Sequence, residues 1–337
     1  MRRHDSSVRM AETGTGVPTP SGIATSQLSA AAWHFRSPET GGLFEKLAER
    51  GTPLQGIVAR FGTGLQSGAD RILIVTPTTA EARDLESALL RPILRGRDVR
   101  RYAVAARPSS VIFPYKERKG EFGILSEPEL RAYKDIYSYL TANKAALERR
   151  VWFSRNAQEL SGYWYGMMYL EPATSFSSPH LLTPSLSNRS NFALGTGDLF
   201  VTGTAGVTSV IPRTEVREHI LYLLALMNSR LISFYVLARS PVFSGGYHKF
   251  SAPYLRDAPI RRIDFDSPSD RTLHGHVVTL AEAAMELSRA AVSARIDHER
   301  VSFQRQIDAT DRKIDELVYE LYGLTDKEIR IVTETTR

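Results

Sequence analysis

The sequence contains no cysteine, and this absence excludes several classes of function. Disulfide bonds, thiolate zinc sites, iron–sulfur clusters and cysteine nucleophiles are all impossible in this chain of 337 residues. Long apolar runs are also missing, since none approaches the roughly 18 consecutive apolar residues of a membrane span. The basic N-terminus lacks the apolar core of a secretory signal. These absences predict a cytoplasmic protein with no membrane partner.

Motifs that mark an active site are absent as well. The sequence has no Walker A loop, no G-x-G-x-x-G pattern, no G-x-S-x-G nucleophile elbow and no Asn/Asp-Pro-Pro-aromatic loop of an amino-methylating enzyme. The eight histidines are scattered, and no carboxylate pair has the spacing of a metal-dependent nuclease. Glycine-rich residues 62–68 lie between two predicted strands, and a hairpin turn explains them better than a nucleotide site. The chain therefore offers no active site of its own.

Positive charge is concentrated in one stretch. The chain carries 43 Lys and Arg against 37 Asp and Glu, a net charge of +6. Residues 91–119 contain nine basic and two acidic residues, so this stretch carries +7 and the rest of the chain sums to about −1. Such a cluster is typical of a protein that binds an anionic polymer, although a solvated arginine-rich loop has the same composition.

Aromatic and small polar residues interleave with basic ones at residues 163–165, 188–192 and 245–249. Side chains of Arg, Asn, Ser and Lys reach phosphates and base edges, and glycine lets a backbone approach a ligand closely. For Trp164, packing in a core is the simpler explanation. For Tyr247–Lys249, the preceding glycine pair favours an exposed loop.

The hydrophobic pattern predicts an α+β fold, in which a mixed, β-rich module is followed by a helical, coiled-coil-like C-terminal region. Long helices are predicted over residues 127–150 and 215–237, and a short amphipathic helix over 83–90. Heptad-like spacing over 271–323 predicts two helices that pack against each other or against a partner. Three regions follow: a disordered lead-in (1–40), the β-rich module (41–265) and the helical region (266–337).

Several segments carry a further signal through their order and spacing. They are Gly62–Gly64, Leu90–Tyr102, Phe113–Tyr115, the predicted helix from Tyr139 to Arg150, Trp164–Tyr165, Leu182–Pro184 with Asn191–Phe192, Leu223–Ser229, Gly245–Phe250 and Ile314–Thr325. Together they resemble the TaqI-like C-terminal specificity domain, the target recognition part of adenine-specific DNA methyltransferases and of fused restriction–modification enzymes. The last segment also resembles the closing helix of type I specificity subunits.

The resemblance implies that residues 41–265 form the DNA specificity domain of a restriction–modification, or phage-defence, system. Such a domain grips double-stranded DNA while the catalytic part flips the target adenine. It implies phosphate contacts from the basic stretch and groove contacts from the loops. The candidate DNA-binding residues are Arg95, Arg97, Arg100, Arg101, Lys116, Asn188, Arg189, Asn191, Tyr247, His248 and Lys249. An internal ion pair between Arg97 and Asp98 is the alternative for that arginine.

The sequence differs from full-length members of the family, and this difference limits what the resemblance implies about catalysis. Full-length members carry an S-adenosylmethionine-binding domain and an Asn-Pro-Pro-Tyr-type loop upstream, and this sequence has neither. We therefore expect no cofactor in this chain and S-adenosylmethionine in the catalytic domain of a partner, which is a DNA methyltransferase or a restriction subunit. Two alternatives stay open: a truncated or degenerate adenine-specific methyltransferase, and a structural assembly module built on the helical region.

Overall fold

The computed structural model describes residues 8–9, 22–23, 38–104, 109–195 and 197–336. Of the predicted disordered lead-in, residues 1–40, all but 8–9, 22–23 and 38–40 lie outside this description. The helices are α1 (Pro38–Arg50), α2 (Asp70–Leu73), α3 (Pro77–Ala82), α4 (Glu127–Leu130), α5 (Lys134–Ala142), α6 (Lys144–Glu148), α7 (Ala157–Ser161), α8 (Thr174–Ser177), α9 (Ile220–Asn228), α10 (Arg230–Leu237), α11 (Ala252–Leu255), α12 (Pro268–Ser293), α13 (Asp297–Leu321) and α14 (Asp326–Thr335).

The strands are short and form several small sheets. They are β1 (Val8–Arg9), β2 (Gly22–Ile23), β3 (Thr52–Pro53), β4 (Val58–Gly62), β5 (Leu65–Gln66), β6 (Ile74–Val75), β7 (Leu90–Leu94), β8 (Val99–Arg100), β9 (Ala103–Val104), β10 (Ser109–Ile112), β11 (Tyr115–Arg118), β12 (Glu121–Ile124), β13 (Val151–Trp152), β14 (Arg155–Asn156), β15 (Tyr169–Leu170), β16 (His180–Pro184), β17 (Leu186–Ser187), β18 (Ala193–Gly195), β19 (Leu199–Phe200), β20 (Val207–Pro212), β21 (Val242–Phe243), β22 (Tyr247–Lys249) and β23 (Pro259–Ile260). The larger sheets have the strand orders β18-β16-β20-β4, β19-β7-β10-β6 and β17-β22-β21.

Strand β16 separates two hydrophobic cores. All five of its residues are buried, whereas a strand with one solvent-facing side alternates between buried and exposed residues. Leu181 and Val210 pack in a core with α1, α9, α10 and the C-terminal helices. Leu182 and Val207 pack in the other core, with the sheet β19-β7-β10-β6 and helices α4 to α6. The two cores therefore share one sheet.

The C-terminal region is helical, as the heptad-like spacing predicts. Helices α12 and α13 pack along each other, and both contribute buried residues such as Ala281 and Val318 to the same core. Helix α14 returns to α1, where Lys46 Nζ lies 2.7 Å from Glu328 Oε2. The α+β class, with a β-rich module followed by a helical region, is confirmed.

The helix predicted over residues 127–150 is divided into α4, α5 and α6. The carboxylate of Glu86 accepts hydrogen bonds from the backbone N–H groups of Asp135 and Ile136, both at 2.9 Å. This cap comes from a distant part of the chain and starts a new helix at Lys134. Residues 83–90, predicted as an amphipathic helix, instead form a turn, a short 3-10 helix at Ser87–Leu89 and the start of β7, and Glu86 lies just before that 3-10 helix.

The helix predicted over residues 215–237 is bent by 59° between α9 and α10. Ser229 causes the break, because its hydroxyl accepts the N–H of Ile232 at 3.2 Å and caps α10. Within the described ranges, no single helix is long and apolar enough to cross a membrane, and α9 and α10 meet that length and composition only as this bent pair.

Candidate nucleic-acid interface

Strand pairing joins two of the predicted groups of residues. Strand β22 pairs with β17, so that His248 lies opposite Ser187 and Lys249 opposite Leu186. Asn188 and Arg189 follow β17 directly and are exposed. The end of β17 and the hairpin β21–β22 therefore form one exposed area. We call it the reading surface and define it by Asn188, Arg189, Val242, Phe243, Tyr247 and Lys249.

The hairpin presents two aromatic rings and an ammonium group on one face. Phe243 lies opposite Tyr247 in the register, and Tyr247 and Lys249 share a face because strand side chains alternate. The Lys249 Nζ lies 5.3 Å from the centroid of the Phe243 ring. The Phe243 and Tyr247 side chains remain 38% and 46% exposed. Gly245, with φ of 79°, allows the tight turn between the two strands.

The hairpin is anchored through Ser240. Its hydroxyl accepts the N–H of Lys249 at 2.7 Å, and its carbonyl oxygen lies 3.1 Å from His248 Nδ1. His248 is half-buried, on the opposite side of the strand from Tyr247. Its ring therefore fixes the hairpin and is turned away from the exposed aromatic face.

The loop after β17 is fixed from behind. The N–H of Ser190 donates to Ser233 Oγ at 3.0 Å, and the N–H of Phe192 donates to Asn228 Oδ1 at 2.8 Å. The Asn228 amide in turn donates to the carbonyl oxygen of Phe192 at 2.9 Å. These bonds hold the buried side of the loop while Asn188 and Arg189 face outward. Asn191, between the anchored residues, is half-buried.

Part of the basic stretch at residues 91–119 lies close to the start of strand β17. The N–H of Gly96 donates to the carbonyl oxygen of Ala205 at 3.0 Å, and the N–H of Ser185 donates to that of Gly206 at 2.9 Å. The turn Gly96–Asp98 and Ser185, the residue before strand β17, are thus connected through residues 205–206.

The arginines in and next to this turn differ in their exposure and in their partners. Arg97 and Arg100 are exposed. The alternative partner of Arg97 is present but distant, because its Nε lies 3.8 Å from Asp98 Oδ1. Arg95 is half-buried, and its Nε has no hydrogen-bond partner among the described residues.

Arg101 is committed to contacts within the protein. Its Nε donates to Asp311 Oδ2 at 2.7 Å, and its Nη1 donates to the carbonyl oxygens of Ser190 and Asn228. The hydroxyl of Tyr102 donates to Asp311 Oδ1 at 2.8 Å. The Arg101 side chain is only 12% exposed. It therefore links the loop after β17 to helix α13 and is not part of the exposed surface.

Asp315, one turn further along α13 from Asp311, is buried. Its Oδ1 accepts the N–H of Arg230 at 2.8 Å, and its Oδ2 lies 3.4 Å from Arg230 Nε. Burial raises the pKa of Asp315 to about 6, although the Arg230 N–H and the Arg101 guanidinium act to lower it. Desolvation of the carboxylate outweighs these contacts.

Lys116 lies apart from the other predicted residues. It belongs to the hairpin β11–β12, and its Nζ lies 3.2 Å from Glu129 Oε1. Within the described residues, β11 pairs with no strand except β12, so no sheet joins this lysine to the reading surface.

The glycine-rich residues 62–68 serve close packing. The flanking strands β4 and β6 pair with other strands, so the predicted hairpin is wrong. A Cβ on Gly64, where φ is 77°, would lie 2.1 Å from the carbonyl oxygen of Phe200. The loop is thus pressed against β19. Among the described residues, no group of three or more His, Asp or Glu side chains could hold a metal ion.

Val242 and Phe243 are exposed residues that were not among the predicted contacts. Val242 is 69% exposed, and both residues precede the glycine turn at Gly245–Gly246. The pair Val-Phe before Ser-Gly-Gly was the available signal for the first strand of the hairpin. A second exposed hairpin, β13–β14, carries Phe153 at its tip, 83% exposed and with φ of 48°.

Comparisons with known proteins agree on one family. A family model, the TaqI-like C-terminal specificity domain, matches residues 91–260, half of the chain. The type II restriction enzyme and methyltransferase RM.Eco57I of Escherichia coli is 24% identical over 230 residues, 67% of this chain and 23% of that protein. The type II methyltransferase M.PaeR7I of Pseudomonas aeruginosa is 25% identical over 302 residues, 89% of this chain and 44% of that protein.

A solved structure is also similar. The type IIG restriction endonuclease BpuSI aligns with a TM-score of 0.48 and 15% identity, covering 85% of this chain and 33% of that one. The chain thus spans less than half the length of each of these relatives.

Proposed function

Because this chain belongs to the family of TaqI-like C-terminal specificity domains, we propose that it recognises a sequence in double-stranded DNA as the specificity part of a restriction–modification system. The names of its relatives, two type II enzymes with methyltransferase activity, support this role. The observation that carries the proposal is the reading surface. There, strand pairing places exposed Asn188 and Arg189 beside the aromatic and cationic face of the hairpin.

The chemistry of the reading surface suits base edges. An arginine makes paired hydrogen bonds to guanine and an asparagine to adenine in the major groove, while apolar side chains contact the thymine methyl group. Arg189 and Asn188 supply the first two groups, and Phe243 and Tyr247 supply the apolar surface. Arg97 and Arg100, exposed on the neighbouring segment, are placed to contact phosphates, which fix the orientation of the protein on the duplex.

Four other predicted residues have different roles in this proposal. Arg101 and His248 hold the loop and the hairpin in place, and half-buried Asn191 belongs to the anchored part of the loop. Lys116 remains a candidate for a separate phosphate contact, from its own hairpin.

Catalysis is assigned to a partner. We infer that a DNA methyltransferase or restriction subunit brings S-adenosylmethionine and the reacting residues, while this chain selects the site in the cytoplasm. The methyltransferase activity in the names of the relatives supports this division, because the chain covers less than half of each.

The test is selection from a random duplex DNA pool by the purified chain, at moderate salt and with excess competitor. We expect enrichment of one motif of a few base pairs. Recovery of unselected DNA, or of none, contradicts autonomous recognition by this chain.

Variants then assign the recognition to the reading surface. Tyr247→Ala and Arg189→Ala are expected to weaken binding to the enriched motif by roughly tenfold or more, which corresponds to about 1–3 kcal/mol per base contact. Phe153→Ala and Arg155→Ala are matched controls, since they remove an exposed aromatic and an exposed arginine from the other hairpin. Equal losses in both pairs contradict the assignment.

A further inference from the structure

One face of helix α13 lines a polar cleft beside the reading surface. Asp308, Asp311, Arg312 and Asp315 recur at helical spacing and therefore share a face. This face, the loop that carries Arg189 and the bend between α9 and α10 enclose a cavity of about 270 Å³. We call it the junction cleft.

Two of the three aspartates in the cleft already have cationic partners. Asp311 is bonded to Arg101 at 2.7 Å, and Asp315 lies 3.4 Å from Arg230. The third, Asp308, is exposed and accepts a hydrogen bond from Gln304 on the preceding turn of the helix at 2.8 Å. Four arginines line the cleft against these three acids, so its formal charge is positive.

Two arginines remain without a carboxylate. Arg189 and Arg312 both line the cleft and are both exposed, and neither forms an ion pair with any residue that the structure describes. Guanidinium groups bind phosphate oxygens through paired, charge-assisted hydrogen bonds. Two unpaired guanidinium groups on one cleft repel each other, and an anion between them removes that repulsion.

We propose that the junction cleft binds one backbone phosphate of the duplex that the reading surface contacts, with Arg189 and Arg312 donating to its oxygens. The proposal rests on the proposed function and extends it, because it gives the C-terminal helical region a direct contact with DNA. Arg189 belongs to both the cleft and the reading surface, because a guanidinium has five N–H donors and can donate to a phosphate oxygen with some of them and to a base edge with others. The bound phosphate therefore lies next to the bases that Asn188 contacts.

The next residue along the helix supplies a matched control. Lys313 is also exposed, but it lines the groove between α12 and α13, with Leu280 and Leu317, on a different side of the helix. Arg312→Ala and Lys313→Ala therefore remove the same charge from adjacent positions, and only the first removes it from the junction cleft. Because neither side chain forms an ion pair among the described residues, neither change is expected to alter the thermal unfolding midpoint.

The experiment measures the affinity of the full chain for its selected duplex as a function of salt. For Arg312→Ala we expect the slope of log affinity against log salt to become less steep by about 0.9, with a roughly tenfold loss at 0.1 M salt. The preference for the selected motif over random duplex should be kept. Arg312→Lys should restore the slope, and Lys313→Ala should behave like the wild type.

A double variant tests whether the two arginines share one phosphate. If they do, Arg189→Ala and Arg312→Ala together cost less than the sum of their separate effects. Additive losses overturn the shared site. Equal effects of Arg312→Ala and Lys313→Ala also overturn it, because they reduce the effect to general electrostatics.

A parallel titration with inorganic phosphate, without DNA, distinguishes a free anion as the ligand. Phosphate binding that requires Arg312, combined with unchanged DNA affinity of Arg312→Ala, overturns the proposal in favour of a small-anion site. If the wild type binds no duplex at all, the proposed function fails together with the cleft. If the wild type binds its motif and Arg312→Ala matches it, the cleft proposal alone fails.

Discussion

Arg101 and Asp311 are joined by a hydrogen bond of 2.7 Å between Nε and Oδ2, although they lie 210 positions apart in the chain. The same carboxylate accepts the Tyr102 hydroxyl, and the same guanidinium reaches the carbonyl oxygen of Ser190. Asp311 on helix α13 thus holds Arg101 in place, and Arg101 in turn supports the loop that carries Asn188 and Arg189.

Asp311→Asn is therefore expected to destabilise the whole chain. The change leaves the guanidinium of Arg101, 12% exposed, without its carboxylate, and we expect a loss of about 2–4 kcal/mol in the free energy of unfolding. Urea unfolding measures it. Asp308→Asn makes the same change of charge one turn earlier at an exposed position, and should cost less than about 0.5 kcal/mol. Similar values for the two variants would mean that the Arg101–Asp311 pair contributes nothing.

Asp315 predicts a pH dependence of stability. Burial raises its pKa from 3.8 to about 6, so the folded chain holds this proton more tightly than the unfolded chain does. The protonated form therefore contributes up to about 3 kcal/mol to the free energy of unfolding. This contribution is fully present below pH 4 and is lost as the pH rises through 6. The charged groups that face this carboxyl are Arg230, Arg101 and Asp311, and the hydroxyls of Tyr102 and Tyr319 also lie near it.

Asp315→Asn isolates that contribution, because the amide does not titrate. We expect the stability of the variant relative to the wild type to rise between pH 4 and pH 7 in urea unfolding. A difference that stays constant over this range contradicts the raised pKa.

Gly64→Ala is expected to be strongly destabilising, by about 2–4 kcal/mol, because it combines a left-handed backbone with a clash against the Phe200 carbonyl oxygen. Gly162→Ala is the matched comparison. Its φ is 84°, but nothing lies within 4 Å of its added Cβ, so only the backbone penalty of about 1 kcal/mol remains. Thermal unfolding should separate the two variants. If Gly64→Ala is no worse than Gly162→Ala, the loop is not tightly packed.

Arg97→Ala with Arg100→Ala should weaken DNA binding without changing the selected motif. Two lost phosphate contacts make the slope of log affinity against log salt less steep by about 1.8. The double change at exposed Arg149 and Arg155 removes equal charge elsewhere and should leave the slope as it is. A changed motif in the Arg97 and Arg100 variant would show instead that these side chains contact bases.

The sequence predicts those parts of the fold that depend on local pattern. The heptad-like spacing gives α12 and α13, because the apolar stripe of each helix is long and is buried in the same core. The single helices predicted over residues 127–150 and 215–237 fail for one reason: caps interrupt them. The cap at α5 comes from Glu86, whose position depends on the tertiary fold and leaves no local signal.

For the candidate site as well, the sequence predicts local features but not tertiary contacts. The Gly-Gly turn before Tyr247 predicts an exposed loop, and this loop is found in the hairpin. A run of arginines in the sequence does not show that Arg101 is held inside the protein while its neighbours Arg97 and Arg100 are exposed. It depends on Asp311, a partner 210 positions away. Composition predicts a basic cluster, and only the tertiary contacts show which of its members face solvent.

The sheet that contains β16 has a consequence for how specificity can be exchanged between proteins. Because α12 packs on α9, and α13 and α14 pack on α10, a block cut at residue 265 would strip these two helices of their packing in the core that contains Leu181 and Val210. A functional graft must therefore carry the helices α12 to α14 and the helix α1, which Lys46 and Glu328 tie together. Such a graft would therefore run from α1 to α14, rather than end at residue 265.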